Sequence, residues 1–231
     1  MHPRRFTLTN TALLSASALA LCIGIAWGMP HSASTLKTAH AFPDPTLTLP
    51  TPQAEQSIVL AGGCFWGMEA VFEHLNGVTN VVSGYAGGSV VNPQYETVSS
   101  GQTGHAESVK ITYNPSKISI GQILKVFFSV AHDPTQVDQQ GPDSGSQYRS
   151  AIFFSNPSQK QFAQAYIQQL NAAKVFIAPI ATQLSPLGQF FPAEEYHQHF
   201  IDRNPNYPYV VINDLPKLKL LSQTFPNLYK P

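Results

Sequence analysis

The chain has 231 residues, of which 43% are hydrophobic, and this is enough for one domain of ordinary size with a full core. Its 13 basic and 13 acidic residues balance to a net charge of zero, and only 11% of the residues are charged. This balance argues against nucleic acid and against acidic membrane surfaces as charge-driven partners.

The first 41 residues have the composition of a targeting segment. Arg4 and Arg5 precede an apolar run from about residue 12 to residue 27, and residues 1–41 contain no acidic residue. A positive start, an apolar stretch and a small-residue site such as Ala39-His40-Ala41 are typical of a secretory signal. We expect a signal peptide or, alternatively, an uncleaved N-terminal anchor. The domain is then exported, either free in the periplasm or facing it from the inner membrane.

Residues 42–56 are rich in proline and threonine, have no apolar period and are predicted to be a linker. Residues 57–231 are predicted to form one domain in which strands and helices interleave. The predicted strands are 57–60, 78–85, 107–113, 150–154 and 180–184, and the predicted helices begin at about Cys64, Ser119 and Asn156. This pattern predicts an α+β fold, with a sheet covered by helices on one face.

Cys64 lies where the first strand ends in two glycines and the first helix begins. Unpaired N–H groups and positive partial charge at a helix N-terminus favour a thiolate, which lowers the pKa of cysteine from about 8.5. Gly62 and Gly63 allow a sharp turn and leave the sulfur approachable. The alternative is a buried structural cysteine that packs as a small hydrophobe, and the spacing alone does not decide between them.

Two residues near this cysteine extend the pattern. Phe65 fits the apolar period of the helix, whereas Trp66 lies off it, which indicates a wall for an apolar substrate group or packing beneath a loop.

Strand alternation places Glu107 on the apolar face of its strand, where desolvation raises the pKa of a carboxyl group. Such a group suits proton donation near neutral pH. The alternative is that Glu107 lies at a frayed, exposed strand end.

Polar candidates also occur in the irregular segments. Tyr95 and Tyr148 each follow turn residues, and loop phenols can donate hydrogen bonds to a substrate oxygen, although tyrosine is also an ordinary packing residue. His197 and His199 are two residues apart, which suits neither one face of a strand nor one face of a helix. We therefore predict no metal site.

The segment Gly63-Cys64-Phe65-Trp66-Gly67 resembles the signature of the peptide methionine sulfoxide reductase A family. The similarity continues in order through the segments 84–88, 92–95, 103–107, 132–135, 140–143, 145–150 and 191–198. The resemblance implies a ferredoxin-like two-layer α/β sandwich with long loops. It also implies reduction of the S epimer of methionine sulfoxide, free or in proteins, which repairs oxidative damage.

The resemblance further implies roles for individual residues. Cys64 attacks the sulfoxide sulfur, and Glu107 protonates the sulfoxide oxygen. Five residues bind the substrate: Phe65, Trp66, Tyr95, Asp143 and Tyr148. The two tyrosines hold the oxygen, the first two residues receive the methyl group, and the aspartate contacts the substrate side through water and backbone.

The attack leaves Cys64 as a sulfenic acid, which a thiol must reduce. Many relatives carry resolving cysteines near the C-terminus, but residues 65–231 contain no cysteine, and Cys22 lies in the targeting segment. We therefore expect a one-cysteine enzyme with no bound cofactor, reduced by an external thioredoxin-like protein or a small thiol. Its other partner is oxidised methionine in proteins or peptides.

Two other functions are consistent with parts of the sequence. A cysteine hydrolase or acyltransferase pairs Cys64 with His105 or His197 as base, and Glu107 has no part in that chemistry. A non-enzymatic binding domain leaves all the matched residues idle. The position of Glu107 relative to Cys64 distinguishes these possibilities.

Overall fold

A computed structural model describes residues 42–231, which all belong to one compact unit. The strands in this part are β1 (Gln56–Ala61), β2 (Val78–Ala86), β3 (Ala106–Tyr113), β4 (Gln139–Gln140), β5 (Asp143–Ser144), β6 (Ala151–Phe154), β7 (Gln183–Pro186) and β8 (Phe190–Pro192). Six of them form one sheet in the order β7-β6-β1-β3-β2-β8, while β4 and β5 form a separate antiparallel pair. In the large sheet, β6 and β7 are parallel and the other neighbours are antiparallel.

The helices in the same part of the chain are α1 (Phe65–Glu73), α2 (Tyr95–Ser99), α3 (Ile120–Val126), α4 (Pro157–Ala172), α5 (Phe200–Arg203) and α6 (Leu215–Thr224). The predicted capping box before α3 is confirmed, because the Ser119 hydroxyl accepts the Gln122 N–H at 3.2 Å and the Gln122 side chain accepts the Ser119 N–H at 2.9 Å. Asn156 caps α4 in the predicted way by accepting the Gln159 N–H at 2.9 Å.

The main hydrophobic core lies between one face of the sheet and α1. Alternation along β3 sends Val109 and Ile111 to this face, and the helical period of α1 sends Phe65, Met68 and Phe72 toward them. The other sheet face carries a smaller cluster that includes Val59, Ala61 and Phe153. This arrangement fixes the start of α1 against the start of β3, where the candidate site lies. The structure thus has the predicted α+β architecture.

The edges of the sheet differ from the prediction. The strand predicted at residues 180–184 is found at Gln183–Pro186, and the edge strand Phe190–Pro192 was not predicted. Both are short and contain proline, so neither offers enough residues for a period-two pattern to stand out.

Residues 42–49, part of the predicted linker, have no helix or strand but pack against the domain. Phe42 is only 4% exposed and meets the Phe176 ring edge-on, with the ring centroids 5.6 Å apart. The Tyr166 hydroxyl donates to the Pro43 carbonyl at 2.8 Å. This packing was not predictable, because isolated apolar residues among prolines have no period.

Phe42→Ala is therefore expected to lower the free energy of unfolding by about 3 kcal/mol, because it opens a cavity in the core. Urea denaturation measures the change. Thr48→Ala, at an exposed position of the same segment, is the control and is expected to stay within about 0.5 kcal/mol of the parent protein. An unchanged stability for Phe42→Ala would contradict the packed arrangement of residues 42–49.

Within residues 42–231, no helix combines the length and the apolarity needed to cross a membrane. The predicted targeting segment, residues 1–41 with Cys22, lies outside the described residues.

Candidate active site

Cys64 lies at the junction between β1 and α1 and is the N-cap residue of that helix. Two glycines make this junction possible. Gly63 has a φ of +90°, which residues with side chains rarely adopt, and a Cβ at that position would lie 2.5 Å from the side chain of Gln140. A Cβ on Gly62 would lie 2.8 Å from the His132 ring. The cysteine side chain remains 9% exposed at the base of a cavity.

Glu107 lies on the core face of β3 and is only 2% exposed, so the predicted placement on the apolar face is confirmed. Its Oε2 accepts the Phe65 N–H at 3.0 Å, one of the free donors at the start of α1. Burial raises the pKa of Glu107 to about 8, although the hydrogen bond from Phe65 opposes the increase. At pH 7 the carboxyl group is therefore largely protonated. A frayed, exposed strand end is excluded.

Cys64 and Glu107 line one cavity of about 170 Å³. The residues around it are Cys64, Phe65, Trp66, Tyr95, Glu107, Asp143, Tyr148, Tyr207 and Tyr209. This set contains all seven residues selected from the sequence. A larger groove of about 800 Å³ runs along residues 44–52, but its lining has no cysteine or histidine, and its one carboxylate, Asp44, is exposed and paired with Lys125. The smaller cavity, which contains the cysteine and a buried carboxyl group, is therefore the candidate active site.

The ionisation of Cys64 differs from the expectation for a helix N-terminus. Burial raises the pKa of the thiol above its ordinary value, and the charges of Glu107 and Asp214 raise it further. The Trp66 backbone N–H and Lys217 lower it but do not outweigh burial. The Glu107 contribution disappears whenever that carboxyl group is protonated. A proton on Glu107 and a thiolate on Cys64 therefore favour each other.

Trp66 forms a fixed wall of the cavity. Its indole ring stacks on Phe200 with the centroids 3.7 Å apart, and its indole N–H donates to Nδ1 of His197 at 3.1 Å. The His197 ring also lies 4.3 Å from the Tyr95 ring and 5.1 Å from the Phe65 ring. His197 thus holds the aromatic residues of the site in place.

Glu194 holds the first of the two predicted phenols. Its Oε1 accepts the Tyr95 backbone N–H at 2.9 Å, and its Oε2 accepts the Tyr85 hydroxyl at 2.8 Å. These bonds attach α2 to the segment that follows β8. Burial raises the pKa values of Tyr95 and Tyr148, so both hydroxyl groups keep their protons and can donate hydrogen bonds.

Sequence reasoning missed two residues of the cavity, Tyr207 and Tyr209. The Tyr209 hydroxyl makes a short hydrogen bond to Oδ2 of Asp143 and thereby orients a carboxylate that the sequence did select. Both tyrosines come from a proline-rich segment before α6 that carries no periodic pattern. The only available signal was the closeness of two aromatic residues among prolines.

The two histidines of the hydrolase hypothesis are engaged elsewhere. Nδ1 of His105 accepts the Gly88 N–H at 3.1 Å, and its other ring nitrogen lies 2.8 Å from the Val90 carbonyl oxygen. His197 accepts from Trp66, and neither histidine lines the cavity. Cys64 therefore has Glu107 rather than an imidazole as its acid–base neighbour.

His197 and His199 point to different partners. Nδ1 of His199 lies 2.7 Å from Glu73, and its backbone N–H donates to Glu69 at 2.9 Å. Ligand atoms of Glu69, Glu73 and His199 converge within 4.8 Å, and of these groups Glu73 and the His199 ring bond to each other.

Comparisons with known proteins identify the family of this chain. Residues 56–228 match the family model of peptide methionine sulfoxide reductase. A relative from Mesorhizobium japonicum, named peptide methionine sulfoxide reductase MsrA 2, is 58% identical over 174 residues, which are 75% of this chain and 89% of that protein. A protein of the same name from Synechocystis is 50% identical over 193 residues, covering 82% of this chain and 90% of the relative.

Solved structures give the same result. Reduced Mxr1 from Saccharomyces cerevisiae has a TM-score of 0.61 and 34% identity, over 72% of this chain and 94% of Mxr1. Methionine sulfoxide reductase A of Corynebacterium diphtheriae has a TM-score of 0.60 and 34% identity, over 72% of this chain and 85% of that chain.

The fold and the site define an oxidoreductase with a cysteine at its centre. The chain belongs to the peptide methionine sulfoxide reductase family, within the group named MsrA. Its reaction is the thiol-dependent reduction of methionine sulfoxide to methionine.

Proposed function

We propose that Cys64 is the nucleophile of this reaction and Glu107 its acid. The observation that carries the proposal is that both groups line one small cavity, with Glu107 largely protonated at neutral pH. The Cys64 thiolate attacks the sulfoxide sulfur, and Glu107 supplies a proton to the oxygen, which otherwise leaves poorly. The bond formed between the two sulfurs then breaks as the protonated oxygen leaves the substrate sulfur and bonds to Cys64, which becomes a sulfenic acid. The substrate sulfur gains two electrons, and the cysteine sulfur loses two.

The rest of the cavity orients the substrate in this proposal. Tyr95 and Tyr148 donate hydrogen bonds to the sulfoxide oxygen, and Phe65 and Trp66 surround its methyl group. Asp143, oriented by the Tyr209 hydroxyl, contacts the backbone side of the substrate through water. The sulfoxide oxygen and the methyl group bind to separate parts of the cavity, so the sulfur presents only one side to Cys64. This geometry selects one of the two epimers, and we assign the S epimer.

An external thiol completes the cycle. One thiol displaces water from the sulfenic acid to form a mixed disulfide, and a second thiol releases Cys64. The absence of cysteine from residues 65–231 supports this route, with a thioredoxin-like protein or a small thiol as reductant. A cavity of about 170 Å³ suits one side chain, so the natural substrates are exposed oxidised methionines in proteins or peptides, and free methionine sulfoxide.

We also propose a ferredoxin-like two-layer α/β sandwich, elaborated by long loops and by the edge strands β7 and β8. The order β6-β1-β3-β2, antiparallel at each step, supports this assignment. The composition of residues 1–41 supports export to the periplasm, with cleavage or with retention as an inner-membrane anchor.

The full chain, assayed with the separate S and R sulfoxides of dabsyl-methionine and dithiothreitol, tests the proposed function. We expect steady production of dabsyl-methionine from the S epimer and none above background from the R epimer. Hydrolysis of a chromogenic ester, the activity of a cysteine hydrolase, is expected to be absent. Equal reduction of both epimers would contradict the proposed arrangement of oxygen and methyl sites.

A further inference from the structure

An ion pair lies beside α1, and neither of its two residues lines the cavity of the site. Nζ of Lys217 lies 3.2 Å from Oδ1 of Asp214. The Asp214 side chain is 0% exposed and the Lys217 side chain 20% exposed. Asp214 ends the π-helical turn Val210–Asp214, and Lys217 lies in the first turn of α6.

The pair contacts α1 at Gly67, three residues after Cys64, which is the N-cap residue of that helix. A Cβ on Gly67 would lie 2.8 Å from Nζ of Lys217 and would overlap Oδ1 of Asp214. The absence of a side chain at position 67 therefore lets both charges approach the helix within one turn of the nucleophile.

Packing and hydrogen bonding alone do not account for this pair. Oδ2 of Asp214 is buried without a hydrogen-bond partner, which is costly for a carboxylate. Lys217 lies near a helix N-terminus, where the helix dipole opposes a cation. Each charge is thus poorly accommodated by its own surroundings, and both lie beside the one cysteine of the described residues.

We propose that Asp214 and Lys217 are positioning residues whose opposite charges set the fraction of Cys64 present as thiolate, while neither touches the substrate. Lys217 favours the thiolate, and Asp214 opposes it and holds the lysine in place. This inference rests on Cys64 being the nucleophile.

The charges around Cys64 support the assignment. The titratable groups that face it from neighbouring elements are Tyr95, Glu107, Asp143, Tyr148, Tyr207, Tyr209, Asp214 and Lys217. Burial raises the pKa values of Tyr95, Tyr148 and Tyr209, so these phenols are neutral near pH 7, and Glu107 is largely protonated there. The Asp143 carboxylate is engaged by the Tyr209 hydroxyl. The charges that act on the Cys64 thiol are those of Asp214, Lys217 and any ionised Glu107, so near neutral pH they are mainly those of the pair.

Alkylation of Cys64 by iodoacetamide, measured against pH on the full chain, tests the proposal. Mass spectrometry of the peptides separates Cys64 from Cys22. Asp214→Asn removes a negative charge, so we expect a lower inflection pH and an alkylation rate at pH 7 raised about threefold, for a shift of half a pKa unit. Lys217→Met leaves the Asp214 carboxylate uncompensated, so we expect a higher inflection pH and a rate lowered about threefold.

Two further variants complete the design. Lys217→Arg keeps the charge and is expected to stay near the parent profile, and Lys219→Met removes an exposed charge from the same helix without effect. Opposite shifts for Asp214→Asn and Lys217→Met support the proposal. Shifts in one direction, or none, identify a merely structural pair and overturn it. If thermal melting shows that Lys217→Met does not fold, Asp214→Asn and Lys217→Arg decide the question. Because alkylation needs no sulfoxide, failure here is distinct from failure of the proposed reductase mechanism.

Discussion

Without an added thiol, the full chain is expected to release one methionine per protein molecule and then stop. Cys64 is the one cysteine among residues 42–231, and residues 65–231 offer no resolving partner. The first turnover therefore leaves a sulfenic acid that nothing within the domain reduces. Addition of dithiothreitol is expected to restore continuous turnover, because thiols reduce sulfenic acids through mixed disulfides.

Chromatographic measurement of methionine gives the stoichiometry, and dimedone followed by mass spectrometry identifies the sulfenic acid on Cys64. Cys64→Ser is expected to release no methionine and to bind no dimedone. Cys22→Ser, which removes the other cysteine of the chain, is expected to match the parent protein. A disulfide between Cys22 and Cys64, or several methionines per chain without thiol, would refute the one-cysteine cycle.

The core of the site was predictable because two local patterns specify it. Strand alternation places Glu107 on the apolar side of β3, and the two glycines followed by an apolar helical period place Cys64 at the start of α1. Both patterns are visible within about ten residues of sequence. The register between β1 and β3 then brings the two elements together, which the α+β alternation of the sequence did not specify by itself.

The other features of the site depend on contacts between segments that are distant in the sequence. The Tyr209 hydroxyl donates a hydrogen bond to Asp143, 66 positions away in the sequence, and no local sequence pattern predicts a contact of that kind. The Asp214–Lys217 pair has the same origin, since its position beside Gly67 follows from the packing of α6. The direction of the pKa shift of the Cys64 thiol was also not predicted correctly. The sequence shows the helix N-terminus, which lowers that pKa, whereas the burial that raises it is a property of the folded molecule.

Glu107→Gln is expected to lower kcat by about a hundredfold to ten-thousandfold, the usual contribution of a general acid. The substitution keeps the shape of the side chain and an oxygen that can still accept the Phe65 N–H, but the amide cannot supply an acidic proton. Alkylation of Cys64 by iodoacetamide is expected to persist. The variant therefore separates loss of the acid from loss of the nucleophile.

The pH dependence gives this prediction its sharpest form. The Cys64 thiolate fraction rises with pH, whereas the protonated fraction of Glu107 falls above its pKa of about 8, so the parent activity is expected to stop rising as the pH passes about 8. The Glu107→Gln variant has no such carboxyl group, so its residual kcat is expected to keep rising with the thiolate fraction. Glu55→Gln, at an exposed position, serves as the control and is expected to keep the parent profile. Parent-like turnover by Glu107→Gln would mean that the proton on the sulfoxide oxygen comes from another group, and Tyr95 and Tyr148 would then be the next donors to replace.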